Sequence, residues 1–283
     1  MRYKQYAPDV LERIQKEGLC VLKEFIRICD KYNIQYFVVY GTNIGVVRHK
    51  GIIPWDDDID VGMVRDEYEK FLKVAPKEIK NNFGIAAPEY GEKYYSLTTK
   101  FFKKGTRFAT LCDHGKFNIG IYIDIFVFDF LAEDKKERVK QIRIANLLRK
   151  LYVLYNVNFF SNEMYEKEEL VKRISLAGAH YLLKILPITN KMICKLWKKN
   201  AMKFHGKSGM VTQFSSTMTE ESILSIEETK QLIEMPYEDI MVKVPQNYDR
   251  ILRAVYGDYM QLPPPEKRQN HYPYILKFEE DES

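Results

Sequence analysis

Apolar residues recur every three to four positions across residues 9–31. Val10, Leu11, Ile14, Leu22, Phe25, Ile26 and Cys29 share one face with Lys and Glu opposite, which predicts an amphipathic helix capped by Asp9 after Pro8. The period then shortens. Residues 36–40 (YFVVY) read as a strand stopped by Gly41, and 42–50 as a short helix with Thr42 or Asn43 as its cap. Gly51 and Pro54 break that helix, 59–64 reads as a second strand and 66–79 as a helix. Residues 95–103 and 119–130 are further strands, the second (IGIYIDIFVFDF) being the most β-like run and predicted to be central. Beyond about residue 132 the pattern becomes helical, over 133–156 and 167–205. Residues 215–224 are loop-like, and 245–259 form a short helix ending near Gly257. The expected fold is α+β, a small mixed sheet with flanking helices plus a largely helical second half. The expected division is a core over 1–132, a helical region packed on it over 133–215, and a C-terminal segment over 216–283.

Composition narrows the class. With 283 residues, 46% apolar and 29% charged, the chain is neither disordered nor fibrous as a whole. The balance of 44 Lys and Arg against 39 Asp and Glu neither requires nor excludes an anionic partner, and no nucleic-acid partner is expected. Cys20, Cys29, Cys112 and Cys194 are far apart and read as reduced thiols. Cys112 and His114 flank Asp113, but two ligands do not make a zinc site. No apolar leader opens the chain. The most apolar stretch, 174–188, is short and carries His180, Lys184 and Pro187, so a cytoplasmic protein is expected.

Three features carry chemistry. Gly41-Thr42-Asn43-Ile44-Gly45 follows a strand, and a tight turn opening a helix presents backbone N–H groups to an anion. Arg48, His49 and Lys50 add positive charge nearby. About fifteen residues on, Asp58 and Asp60 stand at i and i+2, which on a strand aims both carboxylates at one side. Two adjacent carboxylates repel unless a cation lies between them, and a hard divalent ion such as Mg²⁺ suits oxygen ligands. Asp124 is the third, an aspartate on an otherwise apolar central strand that needs a metal or a partner. Replacing it by Asn is expected to stabilise the metal-free protein. Two rival readings remain: a solvated acidic turn, and a calcium loop with Asp56, Asp58, Asp60 and Glu67 at positions 1, 3, 5 and 12, although Val61 stands where that loop requires glycine.

The run YGTNIGVVRHKGIIPWDDDIDVGM (40–63) resembles the signature of the LicD family of phosphorylcholine transferases, related to fukutin and fukutin-related protein. GIYIDIFVFD (120–129) and YGDYMQLPPPEKRQNHYP (256–273) are similar to that family as well. The resemblance implies a nucleotidyltransferase-like fold whose C-terminal segment completes the active-site cleft. By position, Gly41, Thr42 and Asn43 would cradle phosphate with Arg48, Arg268 and His271. Asp58, Asp60 and Asp124 would bind Mg²⁺ (or Mn²⁺), with Asp124 a shared ligand or the general base. Asp56 and Asp57 match the pattern, Asp57 pointing away from Asp58 and Asp60. The implied reaction moves phosphorylcholine from a CDP-linked donor such as CDP-choline to a sugar hydroxyl of a cell-surface glycan (teichoic acid, lipopolysaccharide or capsule), releasing CMP. Trp55, Tyr122 and Tyr256 are candidates for an aromatic choline cage, against the plainer reading that they are core. Two other functions stay open: an NTP-using nucleotidyltransferase that releases pyrophosphate, and a non-catalytic calcium-binding module. Because acceptors of such families are often lipid-linked, the Lys-rich helices of 167–203 could touch the inner face of a membrane, or simply be buried on the core.

Overall fold

Pro8 opens the first helix. Its fixed φ suits the first turn, and its missing N–H would have had no partner there, so α1 (Pro8–Lys31) begins one residue before Asp9, with Ala7 as the extended flank. Asp9 is therefore not the cap. It lies in the first turn, where its charge complements the helix end. The computed structural model describes residues 5–90, 95–110, 117–157, 170–268 and 270–279. Cys112, Asp113 and His114 lie outside the described residues.

The strands are β1 (Phe37–Val38), β2 (Asp60–Val64), β3 (Phe83–Ala86), β4 (Thr99–Lys103), β5 (Arg107–Ala109), β6 (Tyr122–Phe130), β7 (Met210–Gln213), β8 (Leu224–Ser225), β9 (Leu232–Tyr237), β10 (Ile240–Pro245) and β11 (Ile275–Lys277). Seven of them form one mixed sheet in the order β1-β2-β6-β4-β3, with β7 following β4 along the same edge of β6 and β8 beyond it. The predicted central strand is central: β6 pairs with β2 in parallel and with β4 and β7 antiparallel.

Alternation along β6 separates two faces. Ile123, Ile125 and Val127 join Val61 and Met63 against α1 and α3 (Arg65–Glu78), where Phe25, Tyr68 and Phe71 complete the main core. Phe126, Phe128 and Phe130 pack on the other face with Phe37, Val211 and Leu224. Asp124 has the parity of Phe126 and so leaves the main core. Gly62 belongs to that second face too. A Cβ there would lie 2.7 Å from the Phe37 ring and 2.8 Å from that of Phe128, so glycine lets the two rings close over the strand.

The second half is built on α4 (Lys135–Asn156), α5 (Leu170–Ile185) and α6 (Asn190–Ala201). Asp134 caps α4, accepting from Lys136 and Glu137 N–H at 3.0 and 2.9 Å. Ile142, Ala145 and Tyr152 of α4 pack on Trp197 of α6. The helical stretch expected over 167–205 is two helices: Pro187 cannot continue the first, and Thr189 caps the second by accepting from Met192 N–H at 3.2 Å. Residues 210–213, at the end of the region read as helical, instead add β7 to the sheet. The β9–β10 hairpin sends Tyr237, Val242 and Val244 into the main core. After α7 (Tyr248–Tyr256) the chain turns back at Gly257, and β11 pairs with β5. No described helix is long and apolar enough to cross a membrane.

Candidate active site

Val39 is extended, Tyr40 takes φ +50°, and the chain enters α2 (Tyr40–Ile44) and then a π-helical turn, Gly45–His49. The predicted helix of 42–50 thus starts two residues sooner, and neither Thr42 nor Asn43 caps it. This turn borders a cleft of ≈ 640 Å³. Asp56, Asp58, Asp60 and Asp124 line it, as do Tyr40, Gly41, Arg48 and Trp55, Ser216–Met218, and residues 256–271 through Tyr256, Asp258, Tyr259, Lys267 and His271.

The acidic segment is anchored along its length. Gln15 Nε2 donates to Asp56 O at 2.9 Å. Tyr6 OH donates to Asp57, and His271 N–H reaches both Asp57 oxygens at 3.0 and 2.9 Å. Asp60 N–H donates to Thr42 Oγ1 at 2.8 Å, and Asp124 N–H donates to Ile59 O at 2.9 Å. Asp57 is buried and does not line the cleft, but it is not turned away from Asp58 as expected: one carboxylate oxygen of each lies within 4.8 Å of the other. Asp58 precedes the strand, which begins at Asp60, so strand alternation does not pair the two carboxylates. They share the cleft because the anchored loop directs Asp58 into it.

Several expected roles change. Thr42 is buried and holds the Asp60 backbone, leaving its hydroxyl committed away from any phosphate. Asn43 is buried against a separate small apolar pocket beside Phe37 and Leu252, with its Oδ1 unpaired. Of the three turn residues only Gly41 faces the cleft, and a Cβ there would lie 2.9 Å from Asp56 Oδ2. Arg48 lines the cleft with its guanidinium donating to Tyr259 O. Arg268 instead covers Trp55, its Cζ 4.3 Å from the ring centroid. Tyr122 does not line the cleft; its ring carries Lys100 Nζ at 3.2 Å. Glu67, needed by a calcium loop, sits on α3, accepts from Gln35 N–H and pairs with Lys70. With β2 starting at Asp60, the helix–loop–helix frame of that reading is absent.

Lys100 is the residue the sequence reading missed. β6 places Asp124 opposite Asp60 on one side and opposite Lys100 on the other. Lys100 Nζ lies 2.8 and 3.0 Å from the two Asp124 oxygens, so the aspartate on the apolar strand has its partner within the protein. Removing its charge would leave a buried ammonium uncompensated, so Asp124→Asn does not relieve the fold as expected from sequence.

A model of the LicD/FKTN/FKRP nucleotidyltransferase domain matches residues 33–146, the stretch that carries β1, the glycine turn, the acidic segment and Asp124. The lipopolysaccharide cholinephosphotransferase LicD of Haemophilus influenzae is 30% identical over 266 residues, 91% of this chain and 95% of that protein. The chain belongs to the LicD family. An uncharacterised protein of Rickettsia typhi is 39% identical over 131 residues, 45% of this chain and 39% of its own length. As a LicD-family member the chain is a transferase of phosphate-containing groups.

In this LicD-family cleft Asp56, Asp58 and Asp60 hold protons more tightly than usual. Burial, then Asp58, Asp124 and Asp56, push Asp60 well above the ordinary carboxylate range. Burial, then Asp58 and Asp57, do the same to Asp56. Burial raises Asp58, with Asp57 and Asp124 adding to the shift and His271 opposing it. His271 Nδ1 stands 3.2 Å from Asp57 Oδ1 and 3.1 Å from Asp58 Oδ2. These three side chains have the mutual spacing of metal ligands. However, both Asp57 oxygens already accept hydrogen bonds, and the imidazole is held protonated, so the trio is an ion-paired clamp. The hydrogen bond to Asp57, then the Asp58 charge, raise His271 from 6.5 to about 10 against the effect of burial.

A histidine with a raised folded-state pKa stabilises the fold fully below 6.5, and that contribution is lost as pH rises to about 10. The stability gap between wild type and His271→Gln should therefore be wide at pH 6 and narrow steadily toward pH 10 in urea melts. A gap independent of pH would remove the clamp.

Proposed function

We propose that this LicD-family transferase moves phosphorylcholine from CDP-choline to a sugar hydroxyl of a cell-surface glycan, lipopolysaccharide first among them, and releases CMP in a Mg²⁺-dependent reaction. The observation that carries the reading is the charge of the cleft. Five carboxylates, Asp56, Asp58, Asp60, Asp124 and Asp258, face it against Arg48, Lys267 and His271. A diphosphate would be repelled from such a surface without a cation. The donor chemistry suits a hard divalent ion, because Asp56, Asp58 and Asp60 are oxygen ligands that line one cleft and oppose one another's ionisation, although the three side chains do not share ligand spacing. Those three would hold the ion, while Asp124 is already engaged by Lys100. When bound, the ion would supply positive charge that offsets the donor's diphosphate and stabilises the departing CMP.

The chain's own residues do the rest in this reading. Arg48 and Lys267 balance the remaining phosphate charge at the cleft wall. The acceptor oxygen forms a bond to the phosphorus that carries choline, the bond from that phosphorus to the CMP oxygen breaks, and the hydroxyl proton passes to a cleft carboxylate. Tyr40, Phe126 and Tyr256 replace Trp55 and Tyr122 as the surface for choline. They line the cleft, with Tyr40 and Phe126 edge to face at 5.1 Å. The Trp55 and Tyr122 rings already carry Arg268 and Lys100.

CDP-choline with Mg²⁺ should raise the melting temperature more than ATP or CTP does, by an amount equal to about 2.7 kcal/mol of stabilisation at a hundredfold excess over Kd. EDTA should cancel most of the shift, and CMP should accumulate once an acceptor glycan is added. Greater stabilisation by CTP or ATP, with pyrophosphate released, would replace this reading by nucleotidyl transfer.

A further inference from the structure

α5 turns an apolar face to solvent. Val171, Ile174, Leu182 and Ile185 are 78%, 53%, 59% and 81% exposed. At 3.6 residues per turn they fall within about 120° of one another around the helix. Ala177 and His180 on the opposite side are buried, and His180 Nδ1 meets Leu154 O of α4 at 2.7 Å. Lys184 reaches the same helix, its Nζ 3.6 Å from the Tyr155 ring centroid. The helix is thus seated through Ala177, His180 and the half-buried Leu176 and Leu183, and it presents a second apolar face outward where an ordinary surface helix is polar. On α6, Met192 and Leu196 are exposed at i and i+4, with Lys191, Lys195 and Lys199 exposed beside them.

Charge identifies what covers this face. Residues 170–219 contain nine of the 44 Lys and Arg and none of the 39 Asp and Glu, so the rest of the chain is net acidic. A second copy docked by two-fold symmetry would set one basic segment against another. An anionic bilayer satisfies both features at once, since apolar side chains enter the acyl boundary while lysines reach the headgroup phosphates.

We propose that α5 and α6 form a surface that binds an anionic phospholipid bilayer. The inference stands on this surface alone and is independent of the donor assignment, which the CDP-choline melt tests separately. Sedimentation with vesicles is the experiment. The full chain should co-sediment with phosphatidylglycerol vesicles at low salt, release as salt is raised, and ignore pure phosphatidylcholine vesicles. Val171→Glu/Ile185→Glu should lower capture at least tenfold with an unchanged melting temperature, because both positions are exposed. Lys195→Gln/Lys199→Gln should weaken capture and flatten its salt dependence. Failure of phosphatidylglycerol vesicles to capture the wild type, or equal capture of both double variants, would overturn the proposal. So would a wild-type dimer in sedimentation velocity that Val171→Glu/Ile185→Glu converts to monomer without any vesicle capture.

Discussion

Asp60→Asn should lower turnover by about 10²–10³-fold, the usual cost of removing one group that stabilises transition-state charge. The metal-free fold should be at least as stable as wild type. Asp60 stands where the parallel β2–β6 register sets it against Asp124, and its backbone is fixed by Thr42, so asparagine occupies the same place without the charge. Burial and the charges of Asp58, Asp124 and Asp56 oppose its ionisation in the folded state. A carboxylate with a raised folded-state pKa lowers stability as pH rises from its unfolded value through the folded one. The variant should lose that part of the pH dependence and keep its melting temperature near neutrality. Asp58→Asn should lose comparable activity but also some stability, because Asp58 faces His271 at 3.1 Å. Steady-state turnover beside calorimetry from pH 5 to 8 separates the two variants. Near-normal turnover in Asp60→Asn would remove the carboxylates from the reaction.

What the sequence made legible was local. The most β-like run is the central strand, and its alternation already put Asp124 on the face opposite Ile123 and Ile125. The glycine turn and the acidic segment lie on one cleft as their order implied. What stayed hidden was set by contacts distant along the chain. Nothing around Lys100 indicates that β4 pairs with β6 in the register that opposes it to Asp124. The His271–Asp57 clamp joins residues 214 positions apart. Thr42 was misread because a hydroxyl after a glycine suits a phosphate cradle and a backbone brace equally well, and only the approach of β2 decides between them. The β9–β10 hairpin escaped notice because Pro236 and Pro245 argue against a strand, although this two-stranded ribbon accommodates both.

The largest stability loss is expected at Arg65 and Asp129. Arg65 Nε and Nη2 donate to the two Asp129 oxygens at 2.8 and 2.7 Å, and both side chains are fully buried. Asp129 has the parity of Val127 on β6, so its carboxylate points into the main core toward the start of α3. Arg65, the first residue of α3 directly after β2, meets it there. Glu89 extends the network, 3.5 Å from Arg65 and accepting from Tyr68 OH, which in turn shares a hydrogen bond with Thr99. Removing one ion of such a pair leaves the other desolvated and unpaired, at a cost of about 3–5 kcal/mol. Arg65→Met and Asp129→Leu should each unfold at much lower urea, and turnover per folded molecule should be retained because neither residue lines the cleft. The double variant separates a pair that adds stability from one that is only costly to break. Two apolar side chains need no partners, so Arg65→Met/Asp129→Leu should recover most of the loss, with a coupling energy of about 0.5–3 kcal/mol or more in the cycle. Additive losses in the double variant would mean that the arginine and the aspartate act through Glu89 and the packing around them, and not through each other.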